Sequence, residues 1–178
     1  MQKYLKISIL IFSVLALSRF IPHPPNFTSL LALSFYVPVL LGLRYLPVLL
    51  VSFAITDLII GYHTGTHWTW GSVLIIGLVS QYFRKNVNTR ILGSLSGACI
   101  FFIVTNFGVW VSGMYSYTIQ GLIECYFLAI PFFAYSLIST IVFAVIIETI
   151  YKLYRTKFSK IWIFVFCLIN FLIIKIFF

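Results

Sequence analysis

Residues 45–61 read YLPVLLVSFAITDLIIG, an apolar run in which Asp57 is the only charged side chain. A helix needs about 20 predominantly apolar residues to cross the hydrocarbon core of a bilayer, and about 17 still suffice. The run is therefore predicted to be a membrane-spanning helix. At a rise of about 1.5 Å per residue, Asp57 lies about 16 Å from Leu46, within the membrane but near one end of the helix. An ionisable side chain at that depth is costly and usually faces a cavity or a partner.

Similar apolar runs occupy most of the 178 residues. The chain is 62% hydrophobic and only 8% charged, whereas soluble domains carry about 25% charged residues. The expected fold is all-α: a polytopic transmembrane helical bundle with a six-helix core in residues 1–152. Residues 153–178 are expected to form a basic cytoplasmic loop and an additional, seventh C-terminal transmembrane helix. Pro131 predicts a kink in the sixth run. The predicted spans are 4–20, 28–43, 45–61, 69–84, 90–112, 120–151 and 160–177.

The lysines and arginines predict the orientation of this bundle. With the N-terminus in the cytoplasm and alternating spans, ten of the twelve basic residues fall on the cytoplasmic side, and only Arg19 and Lys175 fall outside. Such a bias is typical of cytoplasmic loops. The basic residues lie in short breaks between apolar runs rather than along one face, which argues against nucleic-acid binding. We therefore expect a multi-pass membrane protein in contact with lipid.

This orientation places most polar and aromatic side chains at the extracytoplasmic end of the bundle. All three histidines and two of the three acidic residues fall there. Such a one-sided arrangement predicts a binding site for a small solute. The predicted substrate-binding residues are Arg19, His23, Asn26, Asp57, His63, His67, Trp68, Asn106, Trp110 and Glu124.

Several of these residues also have a purely structural interpretation. Asp57 is either a ligand contact or proton site, or else the partner of Arg19 in an ion pair or a cap for the following loop. Trp68 and Trp110 fit the aromatic belt at a membrane interface equally well. The segment PHPPN at 22–26 has a stiff backbone, which suits a lid over a cavity or a plain rigid connector.

The fifth span combines a close-packing face with a polar residue. Gly93 and Gly97 are four residues apart, as in helices that approach a neighbour closely. Asn106 and Trp110 lie on the other side of the helix wheel. Since an amide at lipid depth must be hydrogen-bonded, Asn106 is predicted to point into the bundle.

Metal binding and catalysis receive little support from the sequence. His63, His67 and Asp57 are weak candidates for metal ligands, but Gly61 and Gly65 favour a loop over the helix that this spacing needs. The motifs of nucleotide-binding loops, serine hydrolases and His-Glu-x-x-His zinc enzymes are absent from the sequence. We therefore assign no catalytic residue and expect neither enzyme activity nor a cofactor.

Five segments resemble an uncharacterised family of small bacterial membrane proteins. They are RFIPHPPNFT at 19–28, TDLIIGYH at 56–63, FFIVTNFGVW at 101–110, GLIECY at 121–126 and AIPFF at 129–133. The first three are specific, and the resemblance extends over about residues 4–152. This family is in turn similar in architecture to the S components, the substrate-binding subunits of energy-coupling-factor (ECF) transporters.

The resemblance implies a substrate pocket near the outer face, with residues 22–27 as its lid. It implies a vitamin, a vitamin precursor or a metal ion as substrate, and a transmembrane coupling protein and ATPase subunits as partners. Two features depart from the S-component pattern. The first helix has only Ser13 and Ala16 as small residues near its middle instead of an Ala-x-x-x-Ala docking stripe, and the chain has a seventh span. The residues that would line or approach the pocket are Asp57, His63, Asn106, Trp110 and Glu124.

Three functional hypotheses follow. The leading one is a substrate-binding transporter subunit that takes up a small, vitamin-like solute or precursor from the extracytoplasmic side of the bacterial inner (cytoplasmic) membrane. The second is an accessory structural subunit of a larger membrane complex, which the extra span favours. The third is a metal-ion permease or membrane enzyme that uses the outer histidines and Asp57.

Overall fold

The computed structural model describes residues 2–62 and 65–155, and all regular secondary structure within them is helical. The all-α prediction is confirmed for this part of the chain. Two short 3-10 segments, Leu43–Tyr45 and Ser80–Phe83, precede the third α-helix and follow the fourth. The α-helices of the described residues are α1 Gln2–Phe20, α2 Leu30–Leu41, α3 Leu46–Ile60, α4 Thr66–Val79, α5 Val87–Val111, α6 Ile119–Leu128 and α7 Ile130–Arg155.

Three segments of the described residues are long and apolar enough to cross a membrane: Leu43–Ile60, Val87–Val111 and Ile130–Tyr154. The apolar helices α2 and α6 have only 12 and 10 residues. At about 1.5 Å per residue they are much shorter than a hydrocarbon core of about 30 Å. The structure therefore supports a membrane protein through three full-length candidate spans, fewer than the spans predicted from the sequence.

The α2 helix is surrounded by its neighbours. Its residues from Leu30 to Val39 are all buried, and it packs against α3, α4 and α5. Its sequence is apolar on every side, the pattern of a helix that contacts other helices around its whole circumference. Phe35 and Tyr36 are almost fully enclosed, with their ring centroids 5.3 Å apart in an edge-to-face arrangement.

The predicted close-packing face of α5 is confirmed. A Cβ atom on Gly93 would lie 2.6 Å from the ring of Phe35 and 2.5 Å from the ring of Phe83. A Cβ atom on Gly97 would lie 3.0 Å from Ile76. These glycines therefore allow α5 to approach α2, α4 and the segment that follows α4.

The sixth predicted span is two helices rather than one. The α6 helix ends at Leu128, Ala129 forms a turn, and α7 begins at Ile130. Pro131 is the second residue of α7, where its missing N–H would have no partner within the helix. Inside a continuous helix, Pro131 would remove a hydrogen bond and collide with the preceding turn. The kink predicted at Pro131 is therefore a complete break two residues before it.

The chain forms two compact units, Met1–Ala144 and Val145–Phe178. The first unit contains α1 to α6 and the beginning of α7. The second begins with the remainder of α7. The predicted seventh span, 160–177, and the basic residues that precede it from 156 onward lie outside the described residues.

The contacts between helices define two ends of the first unit. Tyr4 at the start of α1 stacks on Tyr45 just before α3, with ring centroids 4.9 Å apart, so α1 and α3 run in the same direction. Trp68 at the start of α4 packs against Phe107 near the end of α5, so these two helices are antiparallel. The α1–α2, α3–α4 and α5–α6 connections therefore share one end, which we term the Asp57 end.

Positive charge is concentrated at the opposite end. In the described part of the first unit, Arg19 is the only lysine or arginine at the Asp57 end. Arg90, in the first turn of α5, is buried at the opposite end. The exposed basic residues of this unit also lie at the opposite end and are Lys3, Lys6, Arg44, Arg84 and Lys85.

Candidate functional site

An ion pair joins the ends of α1 and α3. Arg19 lies in the last turn of α1 and Asp57 in the last turn of α3. Nη2 of Arg19 donates to Oδ1 of Asp57 at 2.6 Å, and the two side chains are only 14% and 6% exposed. The ion pair considered for Asp57 is therefore present. Pairing explains how two charged groups are accommodated in an apolar bundle.

The second oxygen of Asp57 is also occupied. Nε1 of Trp70, near the start of α4, donates to Oδ2 at 2.6 Å. A buried indole N–H generally requires such a partner. Three helices thus converge on one carboxylate, and each of its oxygens already accepts a hydrogen bond.

The guanidinium group of Arg19 is held by further contacts. Its Nη1 donates to the hydroxyl of Thr56 and, at 3.4 Å, to the carbonyl of Phe53. Its Cζ lies 4.6 Å from the centroid of the Phe53 ring, a cation–π contact. We refer to Arg19, Thr56, Asp57 and Trp70 as the Asp57 cluster, and its many contacts make it a fixed polar centre.

The sequence alone did not predict Trp70 or Thr56 as members of this cluster. For Trp70 there is a signal: an indole N–H in an apolar helix must find an acceptor. For Thr56 the sequence carries no such signal, because the Thr56 hydroxyl also donates to the Phe53 carbonyl at 2.8 Å within its own helix. That bond alone would satisfy a threonine in a helix.

A row of aromatic rings extends from α4 across α5 to the α5–α6 connection. Successive ring centroids lie 5.4, 5.7, 5.7 and 5.8 Å apart in tilted or edge-to-face arrangements, which are favourable for aromatic pairs. Because α4 contributes to both groups, it links this row to the Asp57 cluster. The aromatic row consists, in order, of His67, Trp68, Phe107, Trp110 and Tyr117.

Close packing and hydrogen bonds fix the row. A Cβ atom on Gly108 would lie 2.3 Å from Cδ1 and Cγ of Trp68, so the indole rests directly on the backbone of α5. Nε1 of Trp110 donates to the Ser116 carbonyl at 3.0 Å. These contacts position the rings of Trp68 and Trp110, both half-buried, and leave part of each ring accessible.

Asn106 and Glu124 belong to neither group. Nδ2 of Asn106 donates to the Phe102 carbonyl of the same helix at 2.7 Å, so this amide nitrogen bonds within α5 rather than to another helix. The carbonyl of Asn106 accepts a weak bond from Sγ of Cys125 at 3.3 Å. Glu124 is exposed on α6 and makes no hydrogen bond or ion pair with any described residue.

The Pro-rich connection between α1 and α2 lies against α7. Residues 22–26 are exposed, and Asn26 adopts a left-handed conformation with φ 61°, which asparagine tolerates better than most residues. The Asn26 carbonyl accepts a hydrogen bond from Ser139 at 3.4 Å. The ring of Phe27 lies 6.4 Å from that of Phe143. This segment is therefore attached to α7 at one point.

The described residues contain no group of three or more His, Cys, Asp or Glu arranged to hold a metal. His67 is exposed in the first turn of α4, not in a loop as expected. His23 is exposed, and its Nδ1–H donates to the carbonyl of the next residue at 2.8 Å. His63 lies outside the described residues. Of the predicted metal candidates, the structure thus describes His67 and Asp57, and Asp57 is already paired.

A separate open groove of about 450 Å³ lies between α5 and α6 and ends at the start of α7. The hydroxyl of Tyr126 donates to the Ile103 carbonyl at 2.7 Å, so it is already satisfied by α5. The groove is therefore apolar, and none of the predicted site residues lines it. Its lining residues are Phe102, Leu122, Ile123, Tyr126, Phe127 and Ile130.

Residues 2–62 and 65–155 thus form an all-helical fold with three helices able to cross a membrane and a fixed polar cluster at one end of the first unit. The chain belongs to DUF6580, a family of unknown function, and the match covers residues 1–161. No curated protein and no solved structure matches the chain. The family carries no assigned activity, so the resemblance to S components stays a prediction.

Proposed function

We propose that the protein is a multi-pass subunit of the bacterial inner membrane with six core helices, a seventh C-terminal span and a cytoplasmic N-terminus. Three long apolar helices support membrane insertion. The exposed lysines and arginines at the end opposite Asp57 match the positive charge of cytoplasmic loops. The Asp57 end then faces the extracytoplasmic side.

Its proposed role is to bind a small, vitamin-like solute or precursor from that side, as the substrate-binding subunit of a transporter. The observation that carries this proposal is the aromatic row, which presents partly exposed rings at the same end of the bundle as the Asp57 cluster. Binding sites for small molecules combine apolar and aromatic walls with a few fixed polar groups. A planar, polar solute would stack on Trp68 or Trp110.

The Asp57 cluster acts as a positioning element in this proposal. Both oxygens of Asp57 already accept hydrogen bonds, so its main effect is to fix α4 relative to α1 and α3. This in turn sets the position of Trp68 on α4. Residues 22–27, the proposed lid, would cover the solute, and a transmembrane coupling protein with ATPase subunits would drive its transport.

The proposal is tested by solute binding to the purified protein. Vitamin-like and aromatic solutes are screened for thermal stabilisation in detergent, and each hit is titrated against Trp110→Leu. Loss of one stacking contact is expected to weaken binding about tenfold. The matched control is Tyr82→Leu, since Tyr82 is an aromatic residue 86% exposed at the opposite end, and it should bind normally.

Two results would count against a substrate-binding role. One is that no solute in the screen stabilises the wild-type protein. The other is that Trp110→Leu and a matching Trp68→Leu variant bind the solute as tightly as Tyr82→Leu does.

The second candidate, an accessory subunit, is favoured by the large exposed side chains of α6 and early α7. Phe127 is 68% exposed and Ile130 is 51% exposed, and apolar faces of this kind suit contact with another membrane protein as well as with lipid. Copurification in mild detergent distinguishes the two roles. A stoichiometric membrane partner without ATPase subunits, together with no solute binding, would support the accessory role.

A further inference from the structure

The surface of α6 carries an exposed carboxylate at the edge of an apolar groove. Glu124 is exposed about 7.5 Å from the start of α6 at Ile119, at a rise of about 1.5 Å per residue. Phe127 lies one turn further on the same side and lines the apolar groove. The groove of about 450 Å³ begins beside Glu124 at Leu122 and Ile123 and extends further from the Asp57 end to Ile130, and it has no polar side chain free to bond.

The carboxylate of Glu124 is the unusual element on this surface. Its exposed neighbours include Ile123 at 64% and Leu128 at 50%, and Glu124 has no hydrogen-bond or ion-pair partner among the described residues. An ionised group beside an apolar, lipid-facing surface is favourable only with a cationic partner or with access to the headgroup region. Its depth, less than two helical turns below the α5–α6 connection, corresponds to that headgroup region.

We propose that Glu124 and the groove bind an aminophospholipid such as phosphatidylethanolamine. The primary ammonium of the headgroup donates charge-assisted hydrogen bonds to the Glu124 carboxylate, and one acyl chain lies along Phe127 and Ile130 in the groove. The part of the groove at Tyr126, Phe127 and Ile130 extends inward from the Glu124 carboxylate, as an acyl chain extends inward from its headgroup. This inference depends on the membrane location proposed above but not on solute binding.

A second copy of this chain is a poorer occupant of the same surface. In the described part of the first unit, the only lysine or arginine at the Asp57 end is Arg19, and Arg19 is buried in its own ion pair with Asp57. Two copies packed through α6 would bring two Glu124 carboxylates together without a cation. A heterologous helix carrying lysine or arginine is the alternative that the experiment must exclude.

The test uses the full-length protein, stripped of lipid in detergent. It is titrated with phosphatidylethanolamine, phosphatidylcholine and phosphatidylglycerol of identical acyl chains, and binding is followed by native mass spectrometry and thermal stability. We expect phosphatidylethanolamine to bind about threefold more tightly than phosphatidylcholine, because choline has no N–H to donate and a surface ion pair contributes modestly. The anionic phosphatidylglycerol should bind most weakly.

Different variants test the contact with the lipid headgroup and the binding of the acyl chain in the groove. Glu124→Gln should abolish the preference for phosphatidylethanolamine, and Glu124→Asp should retain it. Ile123→Trp fills the groove and should weaken binding of all three lipids. Its control is Ile59→Trp, because Ile59 on α3 is equally exposed, at 64%, and lies outside the groove.

Three outcomes would overturn the inference. They are equal binding of the three lipids by the wild-type protein, a preference for phosphatidylethanolamine that persists in Glu124→Gln, and a stoichiometric polypeptide cross-linked from position 123 in place of bound lipid. Loss of solute binding in any variant is irrelevant to these readouts. The proposed lipid site and the proposed solute site can therefore be refuted independently of each other.

Discussion

Removing one charge from the Asp57 cluster is expected to destabilise the protein strongly. In Arg19→Met, Trp70 remains the only donor to a carboxylate that is 6% exposed. In Asp57→Leu, the guanidinium of Arg19 keeps only its contacts with Thr56 and Phe53. Breaking a buried ion pair from one side costs about 3–5 kcal/mol, because the remaining charge stays buried. We expect a loss of this size in the free energy of unfolding for each single variant.

The double variant Arg19→Met/Asp57→Leu should be less destabilised than either single variant. It leaves no buried charge, and replacement of a buried ion pair by apolar side chains is often close to neutral. Its main defect is the unpaired Nε1–H of Trp70, which costs about 1–3 kcal/mol. The coupling energy between Arg19 and Asp57 is therefore expected to be at least about 3 kcal/mol.

The measurement is reversible unfolding by sodium dodecyl sulfate in mixed micelles, followed by far-ultraviolet circular dichroism. Arg44→Met is the matched control, since Arg44 is exposed at the opposite end and surface substitutions usually change stability by less than about 0.5 kcal/mol. The reasoning is refuted if the double variant loses the sum of the single losses. It is equally refuted if Arg19→Met is no less stable than Arg44→Met.

Two further predictions concern the packing and the capping of α5. Gly108→Ala should destabilise the protein by about 1–3 kcal/mol, because its Cβ would lie 2.3 Å from the Trp68 ring. The control Gly71→Ala should be tolerated, because a Cβ at Gly71 would have no atom within 4 Å. Equal melting temperatures for the two variants would contradict this prediction. The Asn86 side chain accepts from the Thr89 backbone N–H at 2.9 Å in a capping box, so Asn86→Ala should cost about 1 kcal/mol in the same unfolding assay. An unchanged unfolding midpoint would show that the cap is dispensable.

Periodicity and span length predicted the helical class and the close approach at Gly93 and Gly97. These features depend on local composition and on spacing along one helix, which a sequence displays directly. The break at Ala129 was harder to place. A proline indicates that a helix is interrupted, but whether the result is a bend or two helices depends on what the flanking turns pack against.

The Asp57 cluster was predictable only in part. The depth of Asp57 in α3 follows from counting residues, and Arg19 is the basic residue closest to that end. The hydrogen bond from Trp70 depends on the rotation of α4 about its own axis relative to α3. That rotation is set by contacts elsewhere, such as the packing of Leu46 on Gly77, so no pattern within α4 reveals it.

Both carboxylate oxygens of Asp57 already accept hydrogen bonds, and this changes how variants of Asp57 should be interpreted. A solute that bound its carboxylate directly would have to displace Arg19 or Trp70, each of which donates at 2.6 Å. Displacement would leave a buried donor unpaired, at a cost that offsets most of the new contact. A loss of solute binding in an Asp57 variant would therefore reflect movement of α4 rather than a lost ligand contact. The partly exposed rings of Trp68 and Trp110 can be truncated without disturbing the ion pair, and they provide the direct test of solute contact.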